Sequence, residues 1–432
     1  MLIDALIGRE QGAVRCPYPA YTELRDGPKV TFSDAGGFYL VSRYDDIKHV
    51  LQNPALFSSR SPMGPSIRET EAAIAEALAD NPELAARSST VLRRGNVLFS
   101  ADAPLHTRHR RLMGKAFSPR IVARMEPEIV SICSSLVDAF NVDEPVDIVR
   151  EYSSHIPVRT LATLLGVSRD SAGNFKSWAD ALNPHHQAVG RNSSVEELRD
   201  IVRRQLAFWE YFENELKERR STQPTGTETD LLSAIAHARV DGETELTLDE
   251  MLGLVAQLVA AGADTTRSLI TSGTMLLCQH PAIANRLREK PADIPLFVEE
   301  VLRAESPVQG LFRVAVEDTE VGGVSVPAGA SLWLMYGSAN RDDQIFDAPG
   351  TFDLDRENVR DHLSFGDGQH FCIGSNLAKL EARVAFQTLL EGFDDLRIAD
   401  EGAEVVYEPS YVIHTPSRLP LRLTPTGRQG ER

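Results

Sequence analysis

One stretch constrains the fold more than any other: TLDEMLGLVAQLVAAGADTTRSLITSGTMLLCQHP, residues 247–281. Thr247 and Glu250 at its start have the spacing of a capping box, in which each side chain bonds the backbone N–H of the other residue. Apolar residues then cover nearly the whole circumference, so the predicted helix should be buried on most sides. About 32 residues at roughly 1.5 Å each span roughly 48 Å, which would cross the whole molecule. A chain built around such a helix is predicted to be mainly α-helical.

The β content is predicted to be minor. The runs KVTFS (29–33) and GFYLVS (37–42) flank a short turn and alternate as the strands of a hairpin do. A helix is predicted over 44–54, and short strands with turns are predicted over 319–338. The stretch 56–100 is predicted to be a long excursion that contains one amphipathic helix. Such an excursion is either a functional lid or a solvated surface insertion.

The chain length of 432 residues exceeds the usual size of a single core, which would suggest two domains. No linker, low-complexity run or internal repeat interrupts it, however. We therefore expect one domain over 1–432, with a β-containing N-terminal part at about 25–60 and a helical cofactor-binding core at about 100–395. The net charge of −17 argues against general nucleic-acid binding.

The cysteines are scattered, without a CxxC pair, and they give no disulfide framework or zinc site: Cys16, Cys133, Cys278 and Cys372. This usage fits a reducing cytoplasm. The opening segment MLIDALIGREQGAV has too short an apolar run for a signal peptide, and no run is long and apolar enough to span a bilayer. We expect a cytoplasmic protein without a membrane anchor.

Cys372 stands in HLSFGDGQHFCIGSNLAKLEAR (362–383), among glycines and just ahead of a predicted helix. The glycines permit tight turns and a close approach of the backbone to a flat group. The helix beginning near Ile373 would place its N-terminal dipole beside the sulfur, which favours the thiolate. A thiolate held in this way suits a metal ligand, or a nucleophile with His370 as its base. On the cysteine alone, a small buried hydrophobe at a helix start is the simpler interpretation.

The ten residues FGDGQHFCIG resemble the haem-binding loop of the cytochrome P-450 family, which has the form F-G-x-G-x-H-x-C-x-G. The resemblance implies haem b as the cofactor, with Cys372 as the axial thiolate ligand of its iron. A thiolate ligand pushes electron density onto the iron and favours cleavage of the O–O bond. The resemblance also implies that the cofactor contacts other positions of the motif: Phe365, Gly366, His370 and Gly374.

Three residues match a further pattern of the same family. Glu300 and Arg303, in FVEEVLRAESP (297–307), lie three positions apart and share one helical face. A surface ion pair, which would contribute little, is the plainer interpretation of the spacing alone. The spacing also matches the family's E-x-x-R pair, and Arg356 in FDLDR stands where the family places a closing arginine. The resemblance implies a buried structural network that supports the haem loop.

The segment AGADTT (261–266) of the long helix matches the family's oxygen-binding segment. Gly262 and Ala263 are small, so a flat ring system could approach the helix there, and the resemblance implies that the haem contacts Ala261. Thr265 can hydrogen-bond the carbonyl group of Ala261 and open the helix locally. Asp264 is a lone acid in an apolar stretch, which is costly unless it is paired or functional. We expect Thr265 to hold water and dioxygen in place while Asp264 passes protons inward.

The segment DAPLHTRHRRLMGKAFSPR (102–120) is predicted to contain a helix with a mixed stripe. At 100° per residue, four side chains fall within about 40° of one another: His106, Arg110, Met113 and Phe117. The family uses H-x-x-x-R at this place to bind the haem propionates, and His106 and Arg110 match it. The resemblance implies two more propionate partners, Arg313 in LFRVA and His362 in HLSFG. Four such donors suit a dianionic edge.

The opposite side of the same helix carries Arg108, Arg111 and Lys115. We expect these cations to face solvent on the cysteine side of the haem. A basic patch on a chain of net charge −17 would steer an acidic partner protein. The alternative is an ordinary charged solvent face.

The resemblance covers essentially the whole chain and is to the soluble bacterial-type members of the family. It implies a haem-thiolate monooxygenase that uses O2 and two electrons to hydroxylate or epoxidise a hydrophobic small molecule. Only 60 residues follow Cys372, which leaves no room for a flavin or iron–sulfur domain. The electrons are therefore implied to come from a separate ferredoxin and its NAD(P)H-dependent reductase. A monomer is expected.

Two other functions remain open: a peroxide-driven haem-thiolate enzyme and a non-catalytic haem sensor. The pair Asp264–Thr265 argues against both. The substrate stays open among terpenoids, steroids, fatty acids and macrolides. Its pocket is expected to be apolar with a few polar groups, and to come from five segments: 56–100, NPHHQAVGRN (183–192), the helix before Gly262, SPVQGLF (306–312) and YVIHT (411–415).

Overall fold

The computed structural model describes residues 1–92, 97–168, 171–182, 193–222, 230–238, 245–400 and 404–427, with side chains at all of these positions except 66, 90–92, 115, 116 and 172. The described chain forms eighteen α-helices: α1 (Leu2–Ile7), α2 (Gln11–Arg15), α3 (Tyr18–Asp26), α4 (Tyr44–Gln52), α5 (Ser66–Ala77), α6 (Pro82–Leu92), α7 (Leu105–Ala116), α8 (Pro119–Ala123), α9 (Glu126–Asp138), α10 (His155–Leu165), α11 (Ala172–Leu182), α12 (Val195–Ser221), α13 (Leu231–Ala236), α14 (Leu248–Gln279), α15 (Pro281–Glu289), α16 (Ile294–Glu305), α17 (Tyr336–Ala339) and α18 (Ser375–Gly392).

The described chain also forms ten strands: β1 (Val30–Ser33), β2 (Phe38–Val41), β3 (Phe57–Ser58), β4 (Val146–Asp147), β5 (Leu311–Ala315), β6 (Thr319–Val321), β7 (Val324–Val326), β8 (Ser331–Leu334), β9 (Phe393–Ile398) and β10 (Pro420–Pro425). The fold is thus mainly α-helical with small sheets, as the sequence predicts. Short 3₁₀ turns occur at Leu98–Ser100, Pro291–Asp293, Val359–Asp361 and Gly368–His370.

The long helix α14 has the predicted length of 32 residues. The capping box at its start is confirmed, because Thr247 Oγ1 accepts from the Glu250 N–H at 3.2 Å while Glu250 Oε2 accepts from the Thr247 N–H at 2.7 Å. Most of its residues are buried, and it contacts α10, α11, α12, α16 and α18. The apolar residues on all faces of α14 are therefore explained by its position, because other helices surround it.

The predicted hairpin is confirmed: β1 and β2 pair antiparallel, with Val30 opposite Val41. They form one edge of a five-stranded sheet of order β1-β2-β8-β5-β3. The short strands predicted at 319–338 are also present, and β8 joins this sheet while β6 pairs with β7. Strand β5 matters for the site, since it carries Arg313.

The prediction of a single helix in the excursion 56–100 was wrong, because the structure has two, α5 and α6. Pro82 cannot continue a preceding helix but suits the first turn of a new one. The side chain of Asn81 also accepts from the Leu84 N–H at 3.2 Å, which caps the second helix. The two helices bury apolar residues against α12 in a separate cluster that includes Ile74, Leu84 and Ile201.

No helix in the ranges given above is both long enough and apolar enough to cross a membrane. The segment 183–192, named as part of the substrate pocket, lies outside the described residues.

Candidate active site

The loop before α18 presents Cys372. Its backbone N–H donates to the Phe365 carbonyl group at 2.9 Å, which folds the loop back on itself. Gly366 has φ of +69°, in the left-handed region that side chains disfavour. Gly374 caps α18, and a Cβ atom there would lie 3.9 Å from the cysteine sulfur. Glycine at 374 therefore leaves no side chain in contact with the sulfur at this position.

Opposing effects act on the Cys372 thiol. Burial raises its pKa, and this is the largest contribution. The backbone N–H groups of Gly374 and Ser375 and the guanidinium group of Arg110 lower the pKa. A coordinated metal ion would complete the deprotonation, since a thiol bound to a metal is ionised.

Polar and cationic side chains from three elements meet beside this loop: His106 and Arg110 on α7, Arg313 on β5, and His370 in the loop itself. The imidazole rings of His106 and His370 lie with their centroids 4.0 Å apart. His106 Nδ1 and His370 Nε2 are buried without a hydrogen-bond partner among the described residues. Burial, reinforced by Arg313, His106 and Arg110, lowers the pKa of His370 to about 3. The cluster is thus rich in donors and positive charge.

Arg313 is the most deeply buried cation of this cluster, with 4% exposure. It donates to the Phe312 carbonyl group at 2.8 Å, and no carboxylate forms an ion pair with it in the described part of the chain. Burial lowers its pKa, while Tyr336 and Asp102 raise it by less. A buried guanidinium in this state is costly unless an anion pairs with it.

His362 has a different environment. Its Nε2 lies 3.1 Å from Glu299 Oε2, and its Nδ1 accepts from the Ser364 N–H at 3.3 Å. Glu299 also accepts from Lys379 at 2.8 Å. Both ring nitrogens of His362 therefore have protein partners. Unlike His106, His362 has no ring nitrogen left over for a propionate among the described contacts. Its role as a propionate donor stays a prediction.

The structure brings Glu300, Arg303 and Arg356 together. Glu300 and Arg303 are fully buried and joined by two bonds of 2.7 Å, and Arg356 Nε lies 3.5 Å from Glu300 Oε2. Arg303 also donates to the carbonyl groups of Asn340, Pro349 and Thr351 at 3.0, 2.9 and 3.1 Å. The Asn340 side chain accepts from the Leu363 N–H at 2.6 Å. The ion pair is therefore linked to the start of the Cys372 loop.

The middle of α14 carries the predicted hydrogen bond, since Thr265 Oγ1 donates to the Ala261 carbonyl group at 2.7 Å. The helix nevertheless continues without a break, so the predicted local opening is not seen. Ala261 is exposed and Thr265 is partly exposed, although Val259, Ala263 and Thr266 nearby are buried. The structure indicates a different need for glycine at 262 from the predicted one. A Cβ atom there would lie only 3.0 Å from Leu161 on α10, so glycine avoids a tight contact between the two helices.

Asp264 is buried, at 7% exposure, and it is not a lone acid. Arg267, one turn further along α14, lies 3.3 Å from its carboxylate, and Arg267 also lies 3.4 Å from Glu408. Sequence reasoning missed this partner, although the i, i+3 spacing within one helix was available as a signal. The three charges form a chain that leads from the middle of α14 towards the more exposed Glu408.

A sequence model of the cytochrome P-450 family matches residues 67–291 and 294–419. The chain belongs to this family. It is 33% identical over 414 residues to 6-deoxyerythronolide B hydroxylase of Saccharopolyspora erythraea, covering 94% of this chain and 96% of the relative. It is 32% identical over 413 residues to vitamin D(3) 25-hydroxylase of Pseudonocardia autotrophica, covering 95% and 94%.

Solved structures of other cytochromes P-450 have the same fold. The cytochrome P-450 CYP109Q5 of Chondromyces apiculatus superposes with a TM-score of 0.82 at 33% identity, covering 97% of this chain and 98% of that one. CYP109E1 of Bacillus megaterium in complex with corticosterone gives a TM-score of 0.80 at 28% identity, covering 95% and 99%. The chain is therefore a cytochrome P-450 monooxygenase, an oxidoreductase of a family that carries haem with a cysteine thiolate ligand.

The residues present fit such a haem. The buried nitrogens of His106 and His370, and the guanidinium of Arg313, which pairs with no carboxylate in the described ranges, are groups that a dianionic propionate edge would satisfy. The exposed Ala261 on α14 and the glycines beside Cys372 leave room for a flat ring. The fit rests on unpaired donors and on backbone shape rather than on the sequence motif alone.

The prediction that Arg108 belongs to a solvent-facing basic patch was wrong. Arg108 does not face solvent, because it forms a 2.8 Å ion pair with Glu250 and donates to the Glu245 carbonyl group at 3.0 Å. It therefore joins α7 to the start of α14. Arg111 is exposed, as predicted. The side chain of Lys115 lies outside the described part of the structure.

Proposed function

We propose that Cys372 is the axial ligand of haem iron in this cytochrome P-450. The observation that carries the proposal is the cluster of His106, Arg110, Arg313 and His370 beside the loop, with two buried nitrogens unpartnered and the buried Arg313 free of any carboxylate among the described residues. The haem, when bound, supplies the site at which O2 is reduced and its oxygen transferred. The protein residues hold the haem, orient the substrate, exclude water and deliver protons.

The propionates of haem b would lie against His106, Arg110 and Arg313. Charge-assisted hydrogen bonds of this kind are about twice as strong as neutral ones. They would also satisfy groups whose burial is otherwise unfavourable. His362 is a fourth donor only if it gives up part of its contact with Glu299, which lies 3.1 Å away.

Thr265 and Asp264 are proposed to handle protons. The hydroxyl hydrogen of Thr265 is donated to the Ala261 carbonyl group, so its oxygen is left as an acceptor that can hold a water molecule. Asp264, the acid next to Thr265, can pass a proton inward. Arg267, which pairs with both Asp264 and Glu408, does not itself relay protons but holds the carboxylate in place. This acid–alcohol pair favours O2-dependent oxidation over a peroxide-driven enzyme or a haem sensor.

We propose a hydrophobic small molecule as the substrate, which is hydroxylated or epoxidised. Support comes from relatives named for hydroxylation of 6-deoxyerythronolide B and vitamin D(3), and from the corticosterone complex of CYP109E1. A polycyclic or macrocyclic compound is therefore the first class to screen. Electrons are proposed to come from a ferredoxin and its NAD(P)H-dependent reductase, with the exposed Arg111 on the partner-facing side.

We also infer that residues 1–432 form one domain, because α14 contacts helices from both sides of it in sequence. A cytoplasmic location is proposed because the four cysteines are free thiols, as is usual in a reducing compartment. The monomeric state stays a prediction, which size-exclusion chromatography with light scattering would check.

The test compares wild type, Cys372→His and the control Cys16→Ser, which changes an exposed cysteine. Wild type and Cys16→Ser should show the red-shifted ferrous–CO band of a thiolate ligand, while Cys372→His should take up haem but lose that band. Retention of the band by Cys372→His would assign the ligand to another residue. Wild type, supplied with NADH, a ferredoxin and its reductase, should convert testosterone or another screened hydrophobic compound to an oxygenated product. Ligand-dependent spectra without product in the whole screen would instead indicate a sensor.

A further inference from the structure

The segment Val97–Ser100, at the end of the excursion and just ahead of α7, is held in an unusual backbone conformation. Val97 and Leu98 are buried, and Leu98 has φ of +29°. A branched apolar residue rarely adopts positive φ, so such a conformation persists only where neighbouring contacts hold it. Two side chains from other elements supply these contacts.

The first contact is a two-point clamp from α14. Gln257 Oε1 accepts from the Phe99 N–H at 2.8 Å, and Gln257 Nε2 donates to the Val97 carbonyl group at 3.1 Å. Both halves of the amide are therefore used on backbone groups two residues apart. A carboxylate of the same length lacks the donor, and a thioether or alkyl side chain lacks both functions.

The second contact comes from α7. His109 is fully buried, and its Nδ1 accepts from the Leu98 N–H at 3.1 Å. Its Nε2 lies 3.4 Å from Glu250 Oε1, and Glu250 is fixed by the capping box at the start of α14. Two consecutive peptide units of the segment, 97–98 and 98–99, are thus bonded to side chains of α7 and α14.

The position of Gln257 on α14 determines which face of this helix the segment Val97–Ser100 is held against. Residues 257, 261 and 265 are spaced by four, so their side chains fall on one helical face, with about 40° between neighbours. Gln257 lies about 6 Å along the axis from Ala261. The clamp therefore fixes Val97–Ser100 beside the face that carries the exposed Ala261 and the partly exposed Thr265.

We propose that Gln257 is a positioning residue that fixes Val97–Ser100 as a wall of the substrate pocket, and so sets which atom of the substrate is presented for oxidation. The proposal rests on the proposed function, because it assumes that haem lies against Ala261. Phe99, which is partly buried against the cluster containing Phe312 and Tyr411, is the side chain that this wall would present. A shift of about 1 Å in such a wall is enough to change reaction rates and product ratios.

The test compares haem-loaded wild type, Gln257→Met and the control Gln387→Met. Gln387 is a partly buried glutamine of α18 that bonds only to the side chains of Glu391 and Arg383 among the described residues. The Phe99 amide should exchange hydrogen about thirtyfold faster in Gln257→Met, since two hydrogen bonds of about 1 kcal/mol each are lost. The dissociation constant of 4-phenylimidazole, a ligand that binds haem iron inside the pocket, should change by about threefold or more. Gln387→Met should leave both quantities unchanged.

Product ratios give a third measurement if testosterone is oxidised, and they should differ between Gln257→Met and wild type. Unchanged exchange at Phe99 would show that the clamp does not hold the segment, and unchanged ligand affinity would show that the segment is not a pocket wall. Either result overturns the proposal. If Gln257→Met does not retain haem, Gln257→Glu serves instead, since it keeps the acceptor for Phe99 and loses the donor to Val97. Failure of the proposed function is distinct, because wild type itself would then lack the thiolate-type ferrous–CO band.

Discussion

Glu381 offers a quantitative test of the packing around α14. It lies on α18 with 2% exposure, facing α10 and α14. Burial raises its pKa from the ordinary value of 4.5 to about 8, and the hydroxyl groups of Thr160 and Thr266 lower it by less. Its Oε1 has no hydrogen bond of normal geometry among the described residues. The carboxyl group is therefore neutral at pH 7 in the folded protein but ionised in the unfolded chain.

The direction of the pH effect follows from linkage. Below about pH 4.5 the group is protonated in both states and has no effect on stability; between 4.5 and 8 only the unfolded state loses its proton, so stability falls as pH rises. Above about pH 8 the full penalty is present. A difference of 3.5 units, taken from 8 and 4.5, corresponds to about 5 kcal/mol. Glu381→Gln is neutral at every pH, so it should become more stable relative to wild type by up to about this amount as pH rises.

The assay is urea unfolding of the haem-loaded proteins at pH 5 and pH 9, followed by circular dichroism and by haem absorbance. The free-energy difference between Glu381→Gln and wild type should grow towards pH 9. Glu391→Gln, which changes an exposed glutamate of the same helix, should keep a constant difference from wild type. Parallel curves for Glu381→Gln and wild type would refute the argument, because the carboxyl group would then titrate alike in both states.

Other residues give sharper tests of single roles. Thr265→Ala should still bind haem, substrate and O2 but release more hydrogen peroxide per NADH consumed, since the hydroxyl oxygen that holds water is lost; an unchanged product yield per NADH with weaker O2 binding would show that Thr265 only shapes the helix. Asp264→Asn should slow turnover and enlarge the solvent isotope effect, and a normal isotope effect would remove Asp264 from proton delivery. Arg303→Lys should lower stability by about 3 kcal/mol and weaken haem retention, because a lysine cannot reproduce the bidentate bond to Glu300 together with three carbonyl contacts; Arg422→Lys, at an exposed position of β10, should do neither.

Local signals in the sequence predicted local structure well. The capping box at Thr247, the hairpin at 30–41 and the pair Glu300–Arg303 each depend on residues a few positions apart, so spacing alone predicts them. The split of the excursion at Pro82 is also a local signal, since a proline in a helix interior breaks the helix, although only one helix was predicted there.

Contacts between distant segments could not be predicted in this way. Glu299 pairs with His362 across 63 residues, and Gln257 reaches Val97 across 160. Nothing in the periodicity of either segment indicates such a partner, because it depends on how the helices pack. The resemblance to the family therefore implies a set of haem contacts, which stays a prediction, but it does not indicate which of these side chains already have partners within the protein.

Two buried arginines of this fold differ in whether the protein itself compensates their charge. Arg303 has hydrogen bonds to both Glu300 oxygens and to three carbonyl groups, so its charge is fully compensated inside the protein. Arg313 is almost as buried but has one carbonyl contact, and no carboxylate among the described residues pairs with it. Leaving a buried charge uncompensated is unfavourable by several kcal/mol. The first arginine therefore stabilises the fold by itself, whereas the second stabilises it only when an anion binds, and haem binding should raise the stability of this region more than that of the Glu300 network.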